Sequence, residues 1–165
     1  MSAPRADLTS DSPATTERHG AALGRVLRPG DVLALNGSLG AGKTCLVRGI
    51  VAGAGGDPTA VRSPTFVLHQ PHRAAGLTVH HVDLYRLGRA ASLDVLDLDG
   101  LLVDGAVVIE WAEYADLTGF AAATISTISM EAGAVDEQRV LHLDEPAPGH
   151  IAAAWTAITA GLARS

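Results

Sequence analysis

The sequence predicts an α/β fold: a mixed, mainly parallel sheet with helices on both faces. Three observations carry the expectation. Val32-Leu33-Ala34-Leu35 is a continuous apolar run, as in a strand buried on both sides, and a glycine-rich loop and a helical pattern follow it at once. Ala106-Val107-Val108-Ile109 is a second such run, ending abruptly at Glu110. Residues 122–130 and 139–143 read as a late strand pair with no helix between them, so not all strand directions agree.

The remaining elements follow in chain order. Residues 1–13, rich in Ser, Pro, Ala and Asp, are expected to form a flexible tail, with a single domain spanning 14–165. Ala22, Leu23, Val26 and Leu27 recur at helical spacing within 15–27, and Pro29-Gly30 marks a turn before the strand at 31–36. The helix after the glycine loop is expected over 44–52, with Leu46, Val47 and Ile50 on one face. Strands are expected at 65–69 and 77–82, a short helix at 91–96, and a strand at 106–109. Ile151, Trp155, Ile158 and Leu162 predict a closing amphipathic helix.

Composition narrows the function classes. Of 165 residues 47% are apolar and 18% charged, the balance of a folded domain. Twelve Lys and Arg stand against 18 Asp and Glu, for a net charge of −6, and the single lysine is Lys43. That balance argues against a protein that grips tRNA or DNA by itself, although contact inside a larger complex stays open. Cys45 is the single cysteine, so no internal disulfide forms. No apolar stretch reaches the roughly 18 residues of a membrane span, and the first dozen residues hold no apolar segment of signal-peptide type. A cytoplasmic location is expected.

The chemistry concentrates in Gly37-Ser38-Leu39-Gly40-Ala41-Gly42-Lys43-Thr44, a full match to G-x-x-x-x-G-K-[ST]. Glycines let successive N–H groups turn inward around an anion, and the helix that begins near Lys43 adds the positive end of its dipole. Lys43 supplies a charge for the outer phosphates and Thr44 a hydroxyl for Mg²⁺. The strand before the motif and the helix after it are the context such a loop needs, so the fold is expected to be P-loop NTPase-like, binding ATP or ADP with Mg²⁺. Next to it Cys45 is either a thiol activated near a helix N-terminus or a small semi-buried filler.

Such a site also needs an acid on a neighbouring strand to hold the metal shell or orient water. Glu110 at the end of its apolar run and Asp83 after His80-His81-Val82 are the two candidates. The bland alternatives are a solvated strand end for Glu110 and a helix cap for Asp83. Trp111 is either a packing residue or a cover over the nucleotide. Ser63-Pro64-Thr65-Phe66 is either a phosphate-sensing switch loop or a proline-set turn. His80 and His81 read as strand residues rather than zinc ligands.

Together these segments resemble the TsaE (YjeE) family, the bacterial ATPases of tRNA threonylcarbamoyladenosine biosynthesis. The resemblance rests on the phosphate loop with Leu46-Val47-Arg48-Gly49, on Ser63-Pro64-Thr65-Phe66, on His81-Val82-Asp83-Leu84-Tyr85-Arg86-Leu87, and on Val108-Ile109-Glu110-Trp111-Ala112-Glu113. It runs from about Thr16 to Arg139. It implies a P-loop ATPase domain, weakly active alone and dependent on the partner proteins TsaB and TsaD, with tRNA met only through that complex. By carry-over, Thr16, the loop from Gly37 to Thr44, and Cys45 surround the nucleotide, Thr44 and Glu110 coordinate Mg²⁺, and Lys43, Asp83, Glu110 and Trp111 serve hydrolysis. The chain departs from the family pattern at Cys45, often Thr, at Gln70-Pro71, often an acidic-aromatic pair, and at Ala112, commonly Pro. Two other classes stay open: a small-molecule kinase, with Arg86 and Arg89 available for a lid, and a nucleotide-gated binding module without turnover.

Overall fold

The computed structural model describes residues 5–62, 68–120, 124–144 and 146–161. The chain opens with β1 (Leu8–Ser10) and α1 (Pro13–Gly24). Ser12 caps α1 by accepting the Thr15 N–H at 3.2 Å, and Pro13 takes the first helical turn, where its missing N–H costs nothing. Next come β2 (Val32–Asn36), α2 (Lys43–Gly53), β3 (His69–Arg73), β4 (Thr78–Asp83), α3 (Leu98–Asp104), β5 (Gly105–Glu110), β6 (Ile125–Ala132), β7 (Arg139–Leu143) and α4 (Gly149–Thr159).

These strands form one seven-stranded sheet in the order β1-β7-β6-β2-β5-β4-β3. The four inner strands β6, β2, β5 and β4 run parallel, while β3, β7 and β1 add antiparallel margins. The alternation along β2 divides the core. Leu33 and Leu35 face a cluster with Leu23, Leu46, Ile50, Ile151 and Trp155, contributed by α1, α2 and α4. Val32 and Ala34 face the other cluster, with Val82, Val107 and Ile109, over which Leu98, Leu101 and Leu102 of α3 are laid. A strand with an apolar residue at every position is explained by layers on both sides.

α1 and α2 pack with almost no side-chain spacer. A methyl group added at Gly20 or Gly24 would strike the backbone of α2, and one at Gly49 or Gly53 the backbone of α1 at Glu17 and Ala21. Glycine at four-residue spacing in both helices lets them touch main chain to main chain.

Three expectations change. The segment read as a loose tail supplies β1, with Leu8 and Ser10 buried and Thr9 outward, and the Trp155 indole N–H donates to the Ala6 carbonyl at 2.9 Å. Polar composition hid it, because three alternating residues suffice when a strand edge is waiting. No helix forms at 91–96. There the Ser92 hydroxyl accepts the Asp94 N–H and Asp97 caps α3 by accepting the Gly100 N–H, so short polar side chains take up the backbone donors a helix would use. The strand expected at 65–69 is found at His69–Arg73; residues 65–67, with the rest of the Ser63 to Phe66 loop, lie outside the described residues. Among the described residues β3 pairs only with β4, so Pro71 sits on the sheet margin, where a strand tolerates its missing N–H. Residues 122–123 and Leu162 also lie outside the described residues.

Candidate functional site

The glycine loop leaves the carboxyl end of β2 at the centre of the sheet and enters α2. Gly37, Gly40 and Gly42 have φ of +150°, +78° and +98°, values that L side chains resist. At Gly37 a Cβ would also lie 2.5 Å from the Met130 carbonyl. Gly42 is the N-cap of α2 and offers no side chain to its first N–H groups, which are left for an anion.

Lys43 is buried, and its ammonium donates to the carbonyls of Gly37 and, at 3.0 Å, Ser38. It stands 3.9 Å from the centre of the Trp111 ring, a cation–π contact. Burial lowers its pKa, opposed by the charges of Glu110, Glu113 and Asp83. Trp111 has φ of +58°, a left-handed conformation rare for so large a side chain, and its ring is flanked by Tyr85 at 5.0 Å and Tyr114 at 5.2 Å. It therefore both packs and covers the lysine.

The two candidate acids lie side by side. Glu110 ends β5 and Asp83 ends β4, and they are register partners; Glu110 is also paired with Leu35 of β2. Glu110 is 2% exposed, which removes the reading of a solvated strand end. Its Oε1 accepts the Thr44 hydroxyl at 2.8 Å, with Oε2 at 3.1 Å. Asp83 is buried and accepts the Tyr85 N–H at 2.9 Å, a local turn contact just ahead of the 3₁₀ turn Tyr85–Leu87, whose N-cap is Leu84. Burial raises its pKa and the Glu110 charge adds to that, against the Tyr85 N–H, His81 and Lys43.

A cavity of about 220 Å³ is lined by the loop from Leu39 to Cys45 with Glu110 and Trp111. A second, of about 320 Å³, meets it at Gly42 and Cys45 and is bounded by Pro13, Thr16, Arg48 and Arg139. Thr16 is on its wall, but its hydroxyl is engaged by the Ser10 hydroxyl at 2.7 Å and binds the corner between β1 and α1. The Cys45 thiol donates to the Pro13 carbonyl at 3.3 Å, and burial with the nearby Glu17 charge raises its pKa. It is a protonated filler, not an activated nucleophile.

Three residues join the site that the motifs did not single out. The His81 imidazole meets Glu110 Oε1 at 2.9 Å, the Glu113 carboxylate accepts the Gly37 N–H at 3.2 Å, and Arg139 donates to the Gly40 carbonyl at 3.2 Å. The signal for His81 was available: it lies two residues before Asp83, so strand alternation puts both on one face. Arg139 comes from the far end of the chain, and no local pattern connects it to the loop.

The hydroxyl of Thr44 and the carboxylate of Glu110 form an all-oxygen donor pair suited to a hard cation such as Mg²⁺, and the glycine cradle with Lys43 suits phosphate. A central parallel strand, a glycine loop, a helix and an acid on the adjacent strand define a P-loop nucleotide-binding fold. The family model for the threonylcarbamoyl adenosine biosynthesis protein TsaE matches residues 10–141, and the chain belongs to that family.

Three relatives bear the name tRNA threonylcarbamoyladenosine biosynthesis protein TsaE. The one from Streptomyces coelicolor is 46% identical over 97 residues, covering 57% of this chain and 65% of that one. The one from Mycobacterium bovis is 44% identical over 124 residues, covering 66% and 73%. The one from Rickettsia conorii is 38% identical over 105 residues, covering 64% and 60%. The chain thus spans less than two thirds of the Rickettsia and Streptomyces proteins. Its fold is that of Bacillus subtilis YdiB, with a TM-score of 0.64 over 87% of each chain and 22% identity. Among the described residues no helix is long and apolar enough to cross a membrane.

Proposed function

We propose that this chain is the ATP-binding and ATP-hydrolysing subunit of the cytoplasmic machinery that forms threonylcarbamoyladenosine next to the anticodon of tRNA, acting with homologues of TsaB and TsaD. The single observation that carries the ATPase reading is the Thr44–Glu110 hydrogen bond, which joins the first turn of α2 to the strand-end acid. The names of the relatives carry the pathway. The net charge of −6 agrees with a subunit that meets tRNA only through its partners.

In this reading the loop N–H groups and the open start of α2 bind the phosphates. Lys43 leaves the carbonyls of Gly37 and Ser38 for the outer phosphates, and Trp111 keeps water from that ammonium. Thr44 and Glu110 hold Mg²⁺, which when bound neutralises charge on the terminal phosphates. Asp83 has one carboxylate oxygen tied to the Tyr85 N–H; the other orients the attacking water and takes its proton, a task its raised pKa suits. The cavity beside Thr16 and Arg139 receives the nucleoside.

The test is ATP hydrolysis by the purified chain, alone and with the TsaB and TsaD homologues of its host, with Glu110→Ala as control. The expected outcome is slow turnover alone, acceleration by the partners, and loss of at least about a hundredfold in the variant, the usual scale for one electrostatic group. Turnover indifferent to the partners would overturn the subunit assignment, and phosphate transfer to a metabolite in the same assay would favour a kinase. ATP-dependent partner binding that survives in a Glu110→Ala variant without turnover, in a protein whose wild type also turns over negligibly, would favour a nucleotide-gated module.

A further inference from the structure

Among the described residues two side chains hydrogen-bond the Glu110 carboxylate, and only Thr44 belongs to the phosphate loop. The other is His81, which is fully buried on β4, with Nε2 2.9 Å from Glu110 Oε1. An ionised carboxylate can only accept, so the ring donates its Nε2–H. The register explains the reach. His81 is paired with Val108 and Asp83 with Glu110, so the imidazole sits one pleat below the two acids on the same face. The His72 ring lies 6.2 Å away and backs it. Oε1 meets both His81 and the Thr44 hydroxyl, at 2.9 and 2.8 Å, and Oε2 lies 3.1 Å from the same hydroxyl, so His81 holds from below a carboxylate whose two oxygens both face Thr44.

We propose that His81 is a positioning residue: it fixes the rotamer of the Glu110 carboxylate so that it stays turned toward Thr44, where the two side chains would hold the metal. The inference rests on the reading of Glu110 as a metal-shell carboxylate. The physical reason is geometric. A glutamate has three rotatable bonds and loses that freedom only where its head is held, and a charge-assisted bond from a buried rigid ring holds it better than the mobile Thr44 hydroxyl, which must turn toward the cation. Partners of this kind orient metal ligands at other sites, and removing them costs about 10- to 100-fold in metal affinity.

The experiment measures binding of a non-hydrolysable ATP analogue to the full chain, with Mg²⁺ titrated in and with EDTA, for wild type, His81→Gln, His81→Asn, His81→Leu and Glu110→Gln. Glutamine keeps an N–H near the imidazole Nε2 position; asparagine keeps polarity but is too short to reach Glu110; leucine removes the donor. His81→Asn and His81→Leu are expected to raise the Mg²⁺ concentration for half-maximal binding about 10-fold or more, with EDTA-condition affinity unchanged and recovery in His81→Gln. A wild-type Mg²⁺ requirement in His81→Asn, or an equal loss of affinity with and without Mg²⁺, overturns the positioning role. Should His81→Leu fail to fold, the asparagine and glutamine pair decides. Glu110→Gln separates the two readings: if it keeps the wild-type Mg²⁺ requirement, the metal role of Glu110 falls, whereas a raised requirement there with none in His81→Asn removes only His81.

Discussion

Lys43 is the chain's single lysine and it is buried: its ammonium donates to two carbonyls of its own loop and lies over the face of Trp111. Those contacts keep a buried cation paired within the loop that leads into α2. Lys43→Ala is therefore expected to weaken ATP binding by roughly 10- to 100-fold, the worth of a charged hydrogen bond, which isothermal titration of ATP against both proteins would measure. Wild-type affinity in the variant would remove Lys43 from the phosphate site. Lys43 and Thr44 were singled out by the motif alone, because the roles proposed for them follow from a fixed offset to the glycines. Thr16 was read by resemblance, and its hydroxyl turns out to hold Ser10.

The helix pair α1 and α2 depends on glycine in a way that hydrophobic spacing did not reveal. The periodicity located both helices, yet the contact between them is made where side chains are missing. Alanine at Gly49 would gain about 1 kcal/mol of helix propensity. It would also drive a methyl into the Glu17 carbonyl of α1, and overpacking of this kind costs about 1–3 kcal/mol or more where backbone must yield. Gly49→Ala is expected to lower stability on balance by about 1–2 kcal/mol, seen as a reduced midpoint in urea denaturation. Because α2 carries the phosphate loop at its start, the same shift should weaken nucleotide binding without touching a site residue. An unchanged midpoint would mean that making room for the methyl costs no more than the roughly 1 kcal/mol of helix propensity that alanine gains. The helix misread at 91–96 has the opposite origin: the Ser92 and Asp97 side chains accept the Asp94 and Gly100 N–H groups and give the backbone better local partners.

Across the whole sheet, the two margins are expected to respond to pH in opposite directions. On the β3–β4 margin burial lowers the pKa of His69, His72 and His80, and neighbouring imidazoles add to the effect at His69 and His72, against Asp57 at His72 and Asp104 at His80. Groups with a depressed folded pKa give up stability as pH falls below their ordinary value of about 6.5 and the unfolded chain takes up more protons. On the β1–β7 margin His142 bridges Asp7 and Glu131, whose hydrogen bonds raise its pKa. Its contribution is complete below about pH 6.5 and is lost as pH rises through the raised value. Because His142 is partly exposed, water and salt keep that contribution small. Amide exchange corrected for intrinsic rates should therefore show β3 and β4 opening more readily at pH 5.5 than at pH 7.5, and β1 opening slightly more readily at pH 8 than at pH 6. A uniform response of both margins would show that these histidines do not govern local opening.

What could be read along the chain was whatever depends on neighbours in sequence: the phosphate loop, the buried strands at 32–35 and 106–109, the helices α1, α2 and α4 but not α3, and the acids that end two strands. Those signals survive because periodicity and motif spacing are local properties of the backbone. What required the folded molecule was everything that depends on strand order and close approach. Parallel pairing of β4, β5 and β2 sets Asp83 and Glu110 side by side and slides His81 beneath Glu110. The return of β7 carries Arg139 to the loop, and glycine-lined contact joins α1 to α2. Strand order and close approach arise from burial summed over the whole core, and no window of sequence contains that sum.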